Sequence, residues 1–241
     1  MVFAWAIGVW IIGEDGRIFA MSRNPVPLRR RQRAVTAVGV ALILTGLGFL
    51  GYVAWQYFGT NVVSKQKQTD IKNSLIIDWG KGIDGEAIGL LRVPRFGKNY
   101  EVPIVPGFDK TALAEGVGWY TDGAKPGQIG NFAIAGHRVT HGEPFRDFLK
   151  LRKGDKIEVE TRTNIYTYVL RQNGDAITVD FTVSWPLQPV PVKGDEKVRP
   201  TEAVLTMLTC SELFHTRNRN VVIGDLVTTV SKTSKTTGTS G

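Results

Sequence analysis

The sequence predicts a mostly β domain, a β-barrel with short helices, preceded by one N-terminal membrane-spanning helix. First, residues 34–58 form 25 consecutive positions without a charged side chain, and about 20 apolar residues are enough to cross a bilayer. Second, the chain after residue 85 consists of short β-branched runs separated by Gly and Pro, with one clear helical pattern. Many short strands with few helices are typical of barrels.

Composition limits the classes of function. The chain has 241 residues, of which 42% are hydrophobic, so it can bury the core of one ordinary domain. Half of the net charge of +8 lies in residues 1–33, and the remainder shows no basic stripe interleaved with aromatic residues. Nucleic-acid binding is therefore not expected. One cysteine excludes an intramolecular disulfide framework and a multi-cysteine zinc site.

The N-terminal region predicts the topology. Residues 1–12 are apolar but too short to span a membrane, and residues 13–16 (Gly-Glu-Asp-Gly) predict a turn. We hypothesise that translation starts at Met21. The arginine cluster at residues 29–33 should stay in the cytoplasm. This predicts a cytoplasmic segment over residues 1–33, a transmembrane helix over residues 34–58, and everything after it outside the cell.

The rest of the chain divides into three parts. Residues 59–84 are polar and predict an extracellular stalk, with a short helix ending near Gly80. The folded domain is predicted over residues 85–230. Residues 231–241, rich in Ser, Thr, Gly and Lys, predict a disordered tail.

Within the folded domain, alternating or continuous apolar runs predict the strands. They lie at residues 89–94, 101–105, 132–135, 156–160, 165–170, 176–183, 203–209 and 220–230. Apolar residues between Phe145 and Leu151 share one face and predict a helix. Residues 185–193 contain three prolines and predict a long loop.

Three side chains fit the chemistry of a thiol nucleophile. Cys210 ends one predicted strand, Arg219 precedes the apolar run at residues 221–223, and His137 follows the strand at residues 132–135. A thiolate attacks, a histidine moves the proton, and a fixed cation stabilises an oxyanion. By spacing alone each residue also has a structural interpretation: a buried inert thiol, a hydrogen-bonded core histidine and a surface charge.

Two alternatives concern the neighbours of this group. Arg217 competes with Arg219, because a two-residue offset keeps both on one face of a strand. We favour Arg219 because it directly precedes the apolar run. A metal site built from His137, His141 and His215 is conceivable, but the spacing of the first two suits a helix and not a strand-to-loop junction. We therefore predict neither a metal nor a cofactor.

Two blocks of sequence resemble a known family. Residues 135–155 contain Ala-Gly-His-Arg followed by Gly-Glu-Pro-Phe, and residues 206–210 read Thr-Met-Leu-Thr-Cys. Together with Arg219 and the segments at residues 87–94 and 116–120, they resemble the sortases, membrane-anchored cysteine transpeptidases of Gram-positive surfaces. The Gly-x-Pro-Phe run resembles the class E form of actinobacteria. The sequence departs from the family pattern at Met207, at Glu212 and at His141.

The resemblance, which covers residues 86–230 and the anchor, implies a closed barrel of about eight strands. It also implies that Cys210 is the nucleophile, His137 the general acid/base and Arg219 the oxyanion donor, with Thr209 and His141 near the substrate. The implied substrates are surface proteins with a Leu-(Pro/Ala)-x-Thr-Gly sorting signal, cleaved between Thr and Gly. A cell-wall amine would accept the acyl group. A β-domain that binds cell-wall peptide without turnover, and a thiol hydrolase, are the alternatives.

Overall fold

The computed structural model describes residues 10–12, 18–20, 28–194, 198–210 and 217–232. It describes the backbone alone for the two N-terminal strands and for Leu28, Arg30, Tyr57 and Cys210. The chain forms two compact units, residues 1–52 and residues 53–241. The hypothesis on Met21 and the turn at residues 13–16 lie outside the described residues. Of the predicted tail at residues 231–241, only Ser231 and Lys232 are described.

The first unit contains a hairpin and most of a long helix. Strands β1 (Trp10–Ile12) and β2 (Ile18–Ala20) pair antiparallel. Helix α1 spans Leu28–Ala54, and its 24 residues from Arg31 onward are apolar enough to cross a membrane, with none of the tested stretch buried in the protein. It begins before the predicted residue 34, and the following Trp55–Gly59 turn is π-helical.

Helix α2 (Thr60–Gly80) occupies the segment that the sequence predicts to be a stalk. It ends at Gly80 as predicted, but its 21 residues make it longer than the short helix expected there. Leu75 is only 1% exposed because it packs against Ala87, Leu90 and Val105 of the barrel domain. The helix therefore lies against the domain and contributes to its core.

The second unit is built around one continuous sheet of short strands. In chain order they are β3 (Gly89–Arg92), β4 (Val102–Pro106), β5 (Val117–Trp119), β6 (Gly130–Ala135), β7 (Lys156–Glu160), β8 (Asn164–Leu170), β9 (Ile177–Asp180), β10 (Ala203–Cys210) and β11 (Asn218–Ser231). The hydrogen-bonded order is β10-β6-β5-β4-β3-β7-β8-β11, and β11 pairs again with β10. The predicted closed barrel of eight strands is thus confirmed, and β9 is added to β11 as a ninth strand.

The 14-residue strand β11 closes the barrel because it is long enough to pair with three other strands. One edge pairs with β10, while the other pairs first with β9 and then with β8. The period of two divides the residues of β10 between two faces. Leu205 and Met207 lie in the main core inside the barrel, and Val204 packs with Val221 in a second cluster on the other face.

The structure differs from the sequence prediction in several short elements. Helix α3 (Lys110–Glu115) and strand β5 were not predicted. Asp109 caps α3 by accepting from the backbone N–H groups of Thr111 and Ala112. The predicted helix at residues 145–151 is only a 3-10 turn at Phe148–Lys150, because its aromatic residues pack into the core of the barrel.

Candidate active site

The ends of β6 and β10 bring the predicted nucleophile and base together. These strands pair in parallel, with Leu208 opposite Ala135, an offset of 73 residues in the chain. Cys210 and His137 are separated by the same 73 residues. The same register, continued by two positions, would bring the backbone of His137 beside that of Cys210. The N–H of Gly136 still donates to the carbonyl of Leu208 at 3.1 Å, so the pairing persists to within one residue of His137.

Arg219 lies on the other side of Cys210. Strands β10 and β11 pair antiparallel, and the Cα of Cys210 lies directly opposite that of Arg219. The guanidinium of Arg219 donates to the carbonyl of Asn218 at 2.9 Å and lies 6.0 Å from the ring centre of Phe181. Cys210 and Arg219 are thus paired on β10 and β11, and His137 follows two residues after the end of β6.

The competing arginine has a different environment. The side chain of Arg217 is 72% exposed, and its Nε donates to Asp180 at 3.1 Å. Hydrogen bonds from the side chain and backbone of Thr182, and then that from Arg217, lower the pKa of Asp180 below its usual value. Arg217 is therefore paired with a carboxylate of β9, whereas Arg219 holds the position across from Cys210.

Thr209 links the two strand ends. Its side chain is 2% exposed, and its hydroxyl donates to the carbonyl of Gly136 at 2.8 Å. The substrate contact that the sequence predicts for Thr209 stays a prediction, and the structure shows that Thr209 also bonds to the neighbouring backbone. The bond joins the residue before Cys210 to the residue before His137, and so fixes the spacing between the two backbones.

A loop of unusual conformation follows His137. The ring of His137 stacks on that of His141, with centroids 4.5 Å apart and planes inclined by 25°. The N–H of Phe145, whose side chain is fully buried, donates to the carbonyl of His137 at 2.9 Å and closes the loop. His141, Gly142 and Glu143 all have positive φ, at 53°, 82° and 53°. His215 and Glu212 lie outside the described residues.

Two residues of α2 contact this loop, and sequence reasoning missed both. The side-chain oxygen of Asn61 accepts from the N–H of Gly142 at 2.9 Å, and its amide nitrogen donates to Glu143 at 2.8 Å. Gln68 donates to the carbonyl of His141 at 3.1 Å. An amide side chain in a polar segment carries no signal in the sequence that distinguishes it from a solvated one.

Comparisons with known proteins show which family this chain belongs to. The family model described as "Sortase domain" matches residues 91–227. Sortase SrtE1 of Streptomyces coelicolor is 35% identical over 80% of this chain, which spans 57% of that protein's length. Sortase SrtE2 of the same organism is 30% identical over 84% of this chain and 86% of its own length.

A solved structure shares the fold. Sortase E from Streptomyces avermitilis is 33% identical, with a TM-score of 0.54 over 61% of this chain and 91% of that one. The family model extends from within β3 to within β11 and includes the ends of β6 and β10 and the start of β11 described above. This chain belongs to the sortase family of cysteine transpeptidases.

Proposed function

We propose that this protein is a membrane-anchored transpeptidase that cleaves a Leu-(Pro/Ala)-x-Thr-Gly sorting signal between Thr and Gly. The acyl group is then transferred to an amine of a cell-wall precursor. The observation that carries the proposal is the register of three adjacent strands. The register pairs Cys210 with Arg219 and supports a position for His137 near them, because β6 pairs with β10 and ends two residues before His137.

The first half of the reaction forms a thioester. His137 accepts the proton of the Cys210 thiol, and the thiolate attacks the carbonyl carbon of the signal's threonine. The guanidinium of Arg219 donates hydrogen bonds to the oxyanion that develops. When the Thr–Gly bond breaks, His137 returns its proton to the leaving glycine amine.

The second half releases the product. The nitrogen of the incoming amine attacks the thioester carbon, and His137 accepts the proton that this nitrogen loses. Collapse of the tetrahedral intermediate breaks the carbon–sulfur bond, and the proton passes from His137 to the sulfur. The enzyme returns to its starting state, and a new amide bond joins the surface protein to the acceptor.

Helix α1 supports the proposed location. Its apolar stretch is long enough to span a bilayer, and the arginines at residues 29–33 precede it. We place the N-terminus in the cytoplasm and the barrel on the outer surface. Surface proteins with a C-terminal sorting signal and the cell-wall amine are then on the same side as the barrel.

Intact-protein mass spectrometry of the full chain in detergent micelles tests the reaction. The protein is mixed with Leu-Ala-x-Thr-Gly or Leu-Pro-x-Thr-Gly peptides, with and without an amine. We expect an adduct whose mass matches the peptide up to its threonine, absent from Cys210→Ala and cleared when the amine is added. The relative rates for the two peptides rank alanine against proline at the second position.

The other outcomes identify the alternatives. Equal clearance by water and by the added amine would indicate a hydrolase. A folded protein that binds peptide, whose thiol is alkylated no faster than a free cysteine and forms no adduct, would indicate a binding domain. Either result would contradict the proposed transpeptidation.

A further inference from the structure

One face of helix α2 lies against the domain along its whole length. The face is marked by buried residues at spacings that return to the same side of a helix. They are Ser64, Gln68 and Leu75, with Asn61, Ile71 and Trp79 partly buried. The C-terminal part of this face is apolar and packs on the barrel. Its N-terminal part carries amides and meets the loop that follows His137.

The amides bind backbone and side chain of three consecutive residues of that loop. Gln68, which is 8% exposed, donates to the carbonyl of His141. Asn61 accepts from the N–H of Gly142 and donates to Glu143. The other carboxylate oxygen of Glu143 accepts from Arg146 at 3.2 Å. Helix α2 therefore satisfies one polar group of each residue from 141 to 143.

These three residues hold a conformation that needs support. Residues other than glycine rarely adopt positive φ, and here two of them, His141 and Glu143, flank Gly142 in that region. A Cβ on Gly142 would lie 2.7 Å from the amide nitrogen of Gln68, so helix and loop are in close contact. Such a turn persists where the surrounding structure fixes it.

The turn at residues 141–143 sets the position of the His141 ring. Its conformation directs the ring of His141 back over His137, where the two rings stack at 4.5 Å. We propose that α2 is a positioning element of the enzyme, in which Asn61 and Gln68 hold the turn at residues 141–143 and thereby orient the imidazole of His137. The inference rests on the proposed role of His137 as the general acid/base.

A set of variants of the full chain in detergent micelles separates this role from a general effect on the fold. Asn61→Ala removes both bonds to the turn. Asn61→Asp keeps the acceptor for Gly142 but sets a carboxylate against Glu143. The double variant Asn61→Asp with Glu143→Gln exchanges acid and amide, so that every hydrogen bond can form again. Gln66→Ala is the matched control, because Gln66 bonds to Asp70 on the exposed side of the same helix.

Two readouts are used together. The chain has three histidines, so a carbon–proton correlation spectrum of the labelled rings contains three sets of signals, and stacking shifts that of His137. Because a misplaced catalytic group is costly, we expect Asn61→Ala to move this signal and to lower kcat about tenfold with little change in KM. Asn61→Asp should also move the His137 signal and lower kcat. The double variant should recover the wild-type signal position and kcat, and Gln66→Ala should leave both unchanged.

The ring signals do not depend on turnover. If the wild-type chain joins no peptide to an amine, the proposed function fails, and the spectra alone decide whether α2 positions His137. An unmoved His137 signal in Asn61→Ala would overturn the inference whatever the rates are. A moved signal with unchanged kcat would overturn the catalytic part of it, as would a double variant that is no better than Asn61→Asp.

Discussion

Two arginines that sequence alone leaves almost equivalent differ in what surrounds them. Arg217 and Arg219 are two residues apart, so alternation along a strand gives them the same face. Pairing with β10 favours Arg219, because it is the residue directly opposite Cys210. Arg217 instead forms an exposed ion pair with Asp180, a kind of contact that contributes little to stability.

We expect substitution of these arginines to have unequal effects on the reaction. Arg219→Ala should lower kcat by about 100-fold to 1000-fold, the range found when one oxyanion donor is removed. Arg219→Lys should recover only part of this, because a lysine lacks the planar fork of the guanidinium. Steady-state kinetics with a sorting-signal peptide and an amine measures both.

The matched control is Arg217→Ala, which removes a guanidinium from the same stretch of chain. We expect its kcat to stay within about threefold of wild type, because only an exposed ion pair is lost. A larger loss in Arg217→Ala than in Arg219→Ala would show that the catalytic arginine is Arg217.

At the scale of elements, local sequence patterns predict the strands well. They predict poorly how a helix packs against the rest of the domain. Strand β7 is visible because its apolar residues alternate, and β8 because it is a run of β-branched and aromatic residues directly after β7. The barrel follows from the number of such strands. The docking of α2 could not be predicted, since half of its buried face consists of Ser64, Gln68 and Asn61. The partners of Gln68 and Asn61 are in the loop after His137, and that loop is distant in sequence.

The same limit applies to the candidate site. The residue types of Cys210, His137 and Arg219 were recognisable, and the 73-residue offset that joins the first two turned out to be the register of two parallel strands. The stacked His141 and the buried bond of Thr209 were not recognisable. Both depend on where a neighbouring backbone lies, which no local pattern records.

Burial of Leu75 predicts that α2 is part of the folded domain. Leu75→Ala should lower the free energy of unfolding by about 2–5 kcal/mol, since it leaves a cavity between α2 and the barrel. Ile76→Ala is the matched control, because Ile76 is 49% exposed on the same helix. Urea denaturation of the full chain in micelles, followed by circular dichroism, measures both. Equal losses in the two variants would contradict the packing of α2 on the barrel.

At the scale of the whole molecule, ion pairs connect several strands of the barrel and helix α2 at the end away from the candidate site. Strand β11 begins beside Cys210 and runs to the far end, where Lys232 follows it. Lys232 and Arg92 both form ion pairs with Glu160. The ammonium of Lys232 also lies 4.4 Å from the ring centre of Trp79 on α2. One carboxylate thus connects β3, β7, β11 and the helix.

This connection predicts a loss of stability in acid. Burial alone would raise the pKa of Glu160, but hydrogen bonds from Lys232 and Arg92 outweigh it and hold that pKa below its usual value. A lowered pKa in the folded state stabilises the protein above the unfolded pKa of about 4.3, and this contribution disappears as the pH falls further. We expect Tm to drop below about pH 4.5.

Glu160→Gln should have a lower Tm than wild type at pH 7 and a shallower decline in acid. The pKa of Asp155 is also lowered, because the hydrogen bond from Arg95 outweighs burial. Asp155 therefore supplies part of the dependence of Tm on pH that remains in Glu160→Gln. Glu202→Gln is the control, since Glu202 is 72% exposed and 3.5 Å from Arg171. Parallel melting curves for wild type and Glu160→Gln from pH 7 to pH 3 would contradict the argument.

The parallel pairing of β6 with β10 also has a consequence for when the enzyme becomes reactive. Its partners are 73 residues apart, so the chain must close a long loop before they meet. In the proposed mechanism His137 takes the proton of the Cys210 thiol, and an isolated cysteine with a pKa near 8.5 is mostly protonated at neutral pH. Under that mechanism the nascent chain carries an unreactive thiol, which becomes a nucleophile only when the barrel is complete.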